Sequence, residues 1–329
     1  MRDSPKMETD LLSDLLNLVR ARCSLSGRLT AGGSWGRRFD NLNAVKFCAA
    51  VEGSCWFFME GMASPLPFER GGILVMNGSR ALVLASEPDR TADAVMTPLA
   101  AEGNSNYRLG EGNDFVMLGG MVQIDKGHQA LLLGGLPPFI HVSGAQRQAA
   151  SIAWLLEQIV REMEPPMHPG RNIILAELAQ LLFVQTLRAY VMQSPTSDGG
   201  WLNALGDRRL APVLAAMHAR PSRAWNLEDL ARESGMSRTT FVTHFREVMG
   251  MPPLTYLTNW RMRLAQRELS AGASVAQVAQ AIGYTSESAF AHAFKRVTGA
   301  APGTYRKTFE ARRSVRLHAT VDDEAATAF

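Results

Sequence analysis

The sequence predicts a two-domain protein: an N-terminal antiparallel β-barrel followed by helices, then a C-terminal all-α domain made of two tandem helix-turn-helix units. Three observations carry this. Between Leu29 and about Val142, Gly and Pro punctuate short runs rich in β-branched and aromatic residues, the texture of many short strands in a sandwich or barrel. From Gly144 the pattern turns helical. Leu227 to Tyr256 is then restated, with one residue added, as Val275 to Tyr305.

In chain order, the N-terminus MRDSPKMETD is polar and mixed in charge, with no signal peptide, and no apolar run approaches the roughly 18 residues of a membrane span. A soluble cytoplasmic protein with no membrane partner is expected. The strand-like runs are AVKFCAAV, SCWFFME, GILVMN, RALVLAS and DFVMLGGMVQI. Helices are expected over Ala149–Met163 and Asn172–Met192. The second carries Leu175, Leu178 and Leu182, continued by Thr186 and Ala189, and a second apolar face of Leu181, Val184, Leu187 and Val191. A symmetric pair of these helices is the candidate homodimer interface, and packing on the chain's own barrel is the open alternative. QSPTSDGG, residues 193–200, is a linker by composition, which divides the chain into 1–192, 193–200 and 201–329.

The repeat can be checked by subtraction. Leu227, Leu230, Ala231 and Gly235 recur 48 positions later as Val275, Val278, Ala279 and Gly283. After the turn the offset is 49: Ser237, Phe241, Phe245, Gly250, Pro253 and Tyr256 recur as Ser286, Phe290, Phe294, Gly299, Pro302 and Tyr305. A single change of offset, placed where a turn tolerates an insertion, marks a duplicated unit.

Each copy reads as two capped helices about a glycine turn. Asn226 caps the first helix and Ser237 the second, which buries Phe241, Phe245 and Val248 and turns Arg238, Thr239, Val242, Thr243 and Arg246 outward. In the second copy Ser274 and Gln277 form a capping box, Ser286 caps the next helix, and Phe290, Phe294 and Val297 are its expected buried stripe. Glu287, Ser288, Ala291, His292 and Lys295 are left outside. The exposed N-terminal part of such a second helix enters the major groove, so double-stranded DNA is the expected partner. Pro253 to about Ser270 reads as a helical connector of roughly 25 Å, suited to placing two reading helices in successive grooves about 34 Å apart. Charge agrees: Met1–Gly200 holds 17 basic and 20 acidic residues, a balance of −3, whereas Trp201–Phe329 holds 17 and 11, a balance of +6.

The segment from about Trp225 to Lys307 resembles the DNA-binding domain of AraC/XylS-type transcription regulators, through LARESGMSRTTFVTHFREVMGMPPLTYL, WRMRLAQREL and VAQVAQAIGYTSESAFAHAFKRVTGAAPGTYRK. The resemblance implies base contacts at Thr239 and Thr243 in the first reading helix and at Glu287, Ser288 and His292 in the second. The first two hundred residues resemble the cupin-like sensory domain attached to some of these regulators, through GSCWFF, GILVMNGSRALVLASE, LPPFIHV and AELAQLLFVQTLRAYV. It implies a small-molecule effector of unstated identity, a homodimer, and RNA polymerase as a partner if the protein is an activator.

Residues 34–89 contain no histidine, so the metal cluster of metal-binding cupins is not carried over, and His128 and His141 read as structural. No catalytic residue, metal or other cofactor is expected. A barrel without metal still leaves an interior for a ligand, with Phe47, Trp56, Phe58 and Met76 as candidate lining and Lys46 and Arg80 as candidates to meet an anion. Strand aromatics equally serve as core, and both cations equally suit an outer face. Cys23, Cys48 and Cys55 form no CxxC pair, which favours buried thiols in a reducing compartment. Two alternatives stay open: a cupin-type enzyme fused to a DNA-binding domain, disfavoured by the missing histidines, and an alkyl-acceptor repair regulator, which requires an activated cysteine.

Overall fold

The computed structural model describes residues 10–40, 44–91, 99–103, 106–124, 133, 135–145, 149–164, 166, 168–193 and 200–308. Their contacts form two units, one made of the described residues between Arg20 and Gly206 and the other joining the first helix to residues 207–308.

The first unit is a curled sheet of ten strands: β1 (Arg22–Gly32), β2 (Gly36–Phe39), β3 (Val45–Met59), β4 (Leu66–Glu69), β5 (Ile73–Met76), β6 (Leu82–Ala85), β7 (Leu99–Gly103), β8 (Asn106–Gly110), β9 (Phe115–Gln123) and β10 (Phe139–Val142). The main path is β10-β5-β3-β9-β1-β8-β7, with β4 and β6 on the far half of β3 and β2 on β6. Pairing is antiparallel except between β1 and β8, which run parallel over Arg28–Gly32 and Asn106–Gly110.

The runs AVKFCAAV and SCWFFME, expected as separate strands, are one 15-residue strand. Its first half pairs with β5 and β9 and its second with β4 and β6. A bulge between Ala50 and Glu52 and a left-handed Gly53, φ +68°, let it fold across, and a Cβ on Gly53 would collide with the Asp114 carbonyl. Between the layers lies a core of Trp35, Phe57, Phe68, Leu84 and Phe115, with Phe57 and Phe68 packed edge to face at 6.3 Å.

Among the described residues, three α-helices and a 3-10 turn, Pro88–Thr91, complete this unit; the α-helices are α2 (Ala149–Met163), α3 (Arg171–Gln193) and α4 (Trp201–Gly206). α3 packs on β1, β10 and α2, and its Gln180 side chain accepts the Cys23 amide at 3.0 Å. Contrary to the sequence expectation, α3 is long and apolar enough by composition to cross a membrane. Its Leu182, Phe183, Thr186, Leu187 and Ala189 are buried within the unit, whereas Ile173, Ile174, Leu181 and Met192 are exposed. The linker residues 194–199 and His128 lie outside the described residues. α4 groups with the sheet rather than with the C-terminal helices because the Trp201 indole covers Gly135, where a Cβ would strike it.

The second unit is all helical: α1 (Leu11–Val19), α5 (Leu210–Ala219), α6 (Leu227–Glu233), α7 (Arg238–Met249), α8 (Pro253–Ser270), α9 (Val275–Ala281), α10 (Glu287–Thr298) and a last short helix, 302–308. α1 was not anticipated. Asp10 caps it through the Ser13 amide at 3.1 Å, and Leu11, Leu15, Leu18 and Val19 are buried where it meets α5 and α8.

Candidate functional site

The two helix-turn-helix copies share one frame. Asn226 accepts the Asp229 amide at 2.8 Å, and Ser274 forms the expected capping box with Gln277. Ser237 and Ser286 accept the Thr240 and Ala289 amides, so α7 and α10 are both 12 residues long, and both end on a left-handed glycine, Gly250 and Gly299. The ring contacts repeat as well. Phe241 and Phe245 lie 5.6 Å apart and Phe290 and Phe294 5.5 Å; Phe245 then meets Tyr256 at 5.9 Å as Phe294 meets Tyr305 at 5.5 Å.

On the outer faces, Arg238, Thr239, Thr243 and Arg246 of α7 are exposed and Val242 is half-buried. On α10 Glu287, Ser288, His292 and Lys295 are exposed. One stripe residue is corrected: Val297 is 37 % exposed, and Ala293 takes the buried place expected of it. Val297 lies in the last turn, where α10 and the start of α8 leave a shallow surface hollow rather than a closed core.

Three interactions around this face join residues far apart in sequence. Glu228 of α6 holds Arg238 at 2.9 Å across the turn. His244 of α7 meets Asp207 at 2.6 Å. Burial pushes the Asp207 carboxyl up, but the amides of Arg209 and Leu210 and the His244 contact outweigh it and hold the pKa below the usual carboxylate value. Arg261 of α8 donates to the carbonyls of Pro221 and Arg223 at 2.6 and 2.7 Å, fixing the loop into α6, and Arg223 lies over the Trp225 ring at 4.1 Å.

In the sheet unit a cavity of about 160 Å³ opens between the two halves of the barrel. Lys46, Phe47, Met76 and Arg80 border it, as do Phe39, Asp40, Cys48, Leu82 and Met117, which the sequence did not single out. Trp56 and Phe58 do not. They alternate along β3 with Cys55, Phe57 and Met59, which are the residues in the core, and so face the other side of the sheet. Alternation likewise turns the Phe47 ring to the opposite side from Cys48, over Gly120. Arg80 is engaged with the Glu60 carbonyl at 2.6 Å. Lys46, half-buried at the rim, makes no hydrogen bond or ion pair among the described residues.

Among the described residues no three of His, Cys, Asp and Glu gather as metal ligands. His141 packs edge-on to Phe57 at 5.0 Å, and burial lowers its pKa. Cys23 and Cys48 have their thiols pushed up to about 12 by burial, and Cys55 is raised well above its usual value by burial and by Cys48, the opposite direction to an activated thiol.

Residues 10–192 match the family described as Cupin, and residues 230–308 match the Helix-turn-helix domain. An AraC-like transcription regulator of Streptomyces lividans is 37 % identical over 300 residues, 91 % of this chain and 98 % of that protein. The chain belongs to the AraC-like transcription regulators. Another relative, the HTH-type transcriptional regulator AlkR of Acinetobacter baylyi, is 28 % identical over 91 % of this chain and 99 % of that one. Among solved structures, the DNA-binding domain of AdpA in complex with a target DNA is 36 % identical and covers 33 % of this chain and 98 % of that one, with a TM-score of 0.32. ToxT of Vibrio cholerae covers 88 % of this chain and 98 % of that one at 12 % identity, TM-score 0.35.

This AraC-like regulator is therefore a DNA-binding transcription regulator with an N-terminal cupin-like domain. Sequence reasoning missed the residues that pin the frame around these outer faces, Glu228, Asp207 and Arg261, because their partners lie 10, 37 and 38 to 40 residues away. Only Glu228 left a signal, as an acid in the first turn of a helix packed beside an arginine-led one.

Proposed function

We propose that this regulator reads its operator with the outer faces of α7 and α10 and responds to a small-molecule effector held in the barrel cavity. The observation that carries the first part is the matched framing of the two helices, whose caps, lengths and ring contacts repeat while their outer faces stay exposed. Arg246 and Lys295 meet phosphates; Thr239, Thr243, Ser288 and His292 meet base edges. Arg246→Ala and Lys295→Ala should each lower the slope of log affinity against log salt by about 0.9, on operator and random DNA alike. Thr243→Ala and His292→Ala should weaken operator binding by ~1 to 3 kcal/mol and leave random DNA nearly unchanged. Equal losses on both DNAs would count against base reading at these positions.

The cavity supports the second part. At about 160 Å³ it matches the size that accepts a benzene-like molecule, and its lining combines Met76, Cys48, Leu82 and Met117 with the charged Lys46, Asp40 and Arg80. A thermal-shift screen of small apolar anions against the wild type and Lys46→Met reads it, since a ligand that prefers the folded state raises the melting temperature. We further propose a homodimer joined by α2 and α3. The stripe Leu182, Thr186 and Ala189 is used within the chain, whereas Trp154, Ile173, Ile174, Leu181 and Met192 are exposed apolar residues on these two helices. Where the regulator activates a promoter, RNA polymerase is the further partner.

A further inference from the structure

The duplication places Arg238 and Glu287 at one and the same position. Each is the first residue of its reading helix, directly after a capping serine, in helices of equal length. Their charges are opposite. This is the part of a reading helix that approaches base edges most closely, so a side chain there bears on sequence choice.

The helix itself does not account for the acid. A carboxylate in a first turn is favoured by the helix dipole, but the other copy carries an arginine in that place and forms the same capped helix, so the position does not require an acid. The surroundings differ in a second respect. In the first copy Glu228 pairs with Arg238 at 2.9 Å; at the matching place in the second copy stands Ala276, and Glu287 has no ion pair among the described residues. The first copy thus carries a neutralised pair, and the second an uncompensated carboxylate on a face that includes Lys295 and His292.

A carboxylate brought against DNA is repelled by phosphates and by every base edge that offers only acceptors. In the major groove guanine shows O6 and N7, and thymine shows O4. Adenine offers its N6 amino group beside the N7 acceptor. Cytosine alone presents a donor, N4, with no neighbouring acceptor on its own edge.

Resting on the reading of α10 as a base-contacting helix, we infer that Glu287 is a specificity residue that selects cytosine, accepting a hydrogen bond from N4, and excludes guanine and thymine at that place. The two halves of the operator are then read by different chemistry. The first unit, whose Arg238 is held by Glu228, brings Arg246 to phosphate, and the second contributes more of the discrimination.

The test is selection of binding sites from a random duplex library by the full-length wild type, Glu287→Ala and Glu287→Gln, followed by titration of the selected site with each base at the affected position. The wild type should select a cytosine that Glu287→Ala no longer requires, with the preference over guanine falling ~10-fold or more. Glu287→Gln, which pairs best with adenine, should change the preferred base rather than erase it. Both variants should bind random DNA as tightly as the wild type or more tightly, because a negative charge has gone. A residue that merely stabilised its helix would instead lower the melting temperature and weaken all DNA equally. Variants that select the same site as the wild type overturn this inference alone, and a wild type that selects no site overturns the reading of α10 with it.

Discussion

Acidification should weaken the helical unit through His218. Its ring lies flat against Trp260, with centroids 3.6 Å apart, and Nε2 meets the Tyr256 hydroxyl at 2.9 Å in the core between α5 and α8. Burial lowers its pKa from 6.5 to about 3, because the charged ring loses its hydration there. The unfolded chain therefore takes up a proton first, and the stability that the neutral ring contributes is complete above about pH 6.5 and is lost as pH falls toward 3. At about pH 4.5 the unfolded histidine is two units below its pKa, which amounts to about 2.7 kcal/mol lost relative to neutral pH. Other groups titrate in the same range, Asp207 and His141 among them, so the measurement is a difference. His218→Phe keeps a flat ring on Trp260 and removes the proton site. It also leaves the Tyr256 hydroxyl without its partner, a cost of ~1–3 kcal/mol that does not vary across this pH range. Urea denaturation of wild type and variant at about pH 7 and about pH 4.5 should show the wild type ahead at neutral pH and the gap narrowing by roughly 2 to 3 kcal/mol in acid. Parallel losses in the two proteins would refute the argument.

The turn glycines of the two copies should respond differently to alanine. Gly235, φ +65°, has open space around an added Cβ, so Gly235→Ala should cost ~1 kcal/mol of backbone strain, whereas at Gly283, φ +86°, the Cβ would strike the Ser222 backbone and the loss should be clearly larger in a melting comparison. In sedimentation analysis the paired substitution Trp154→Glu and Leu181→Glu should yield a folded monomer from a dimeric wild type, these side chains being 56 % and 50 % exposed; a variant that stays dimeric removes α2 and α3 from the interface.

The helical half was the more legible in sequence because its rules are local. Caps, glycine turns and the i, i+4 phenylalanines act within a few residues, and Asn226, Ser237, Ser274 and Ser286 all cap as their spacing requires. The barrel depends on register, which one residue can invert. In β3, Cys48 and Ala50 face the core before the bulge, and Cys55, Phe57 and Met59 face it after, so inward residues pass from even to odd numbers. Read as two separate strands and by their aromatics, the sequence places Trp56 and Phe58 in the cavity lining, where the structure puts neither. The short strands β2, β4, β7 and β8 have four or five residues each, too few for alternation to stand out. α1 was legible in principle: LLSDLLNLV follows a capping Asp10 and repeats leucine at helical spacing, but it adjoins a polar terminus that carried no pattern.

The change of offset inside the repeat shows how far the two copies have diverged as structures. The first turn runs Gly235, Met236, Ser237; the second runs Gly283, Tyr284, Thr285, Ser286. The longer turn seats Tyr284 against Phe290 at 5.8 Å, while Gly283 lets the backbone of Ser222, which belongs to the loop before α6, approach without a Cβ between. The insertion therefore alters the turn and leaves the capped start of α10 in place. α8 carries the same constraint across the unit. It buries Tyr256, Leu257 and Trp260 toward its start, and Met262, Ala265 and Leu269 toward its end, where the latter three join the core beneath α10. An 18-residue helix spans about 27 Å, and helices of both copies pack against it. The frame residues of the two copies meet one packing solution and are alike, whereas Arg238 and Glu287 lie exposed outside the cores and carry opposite charges.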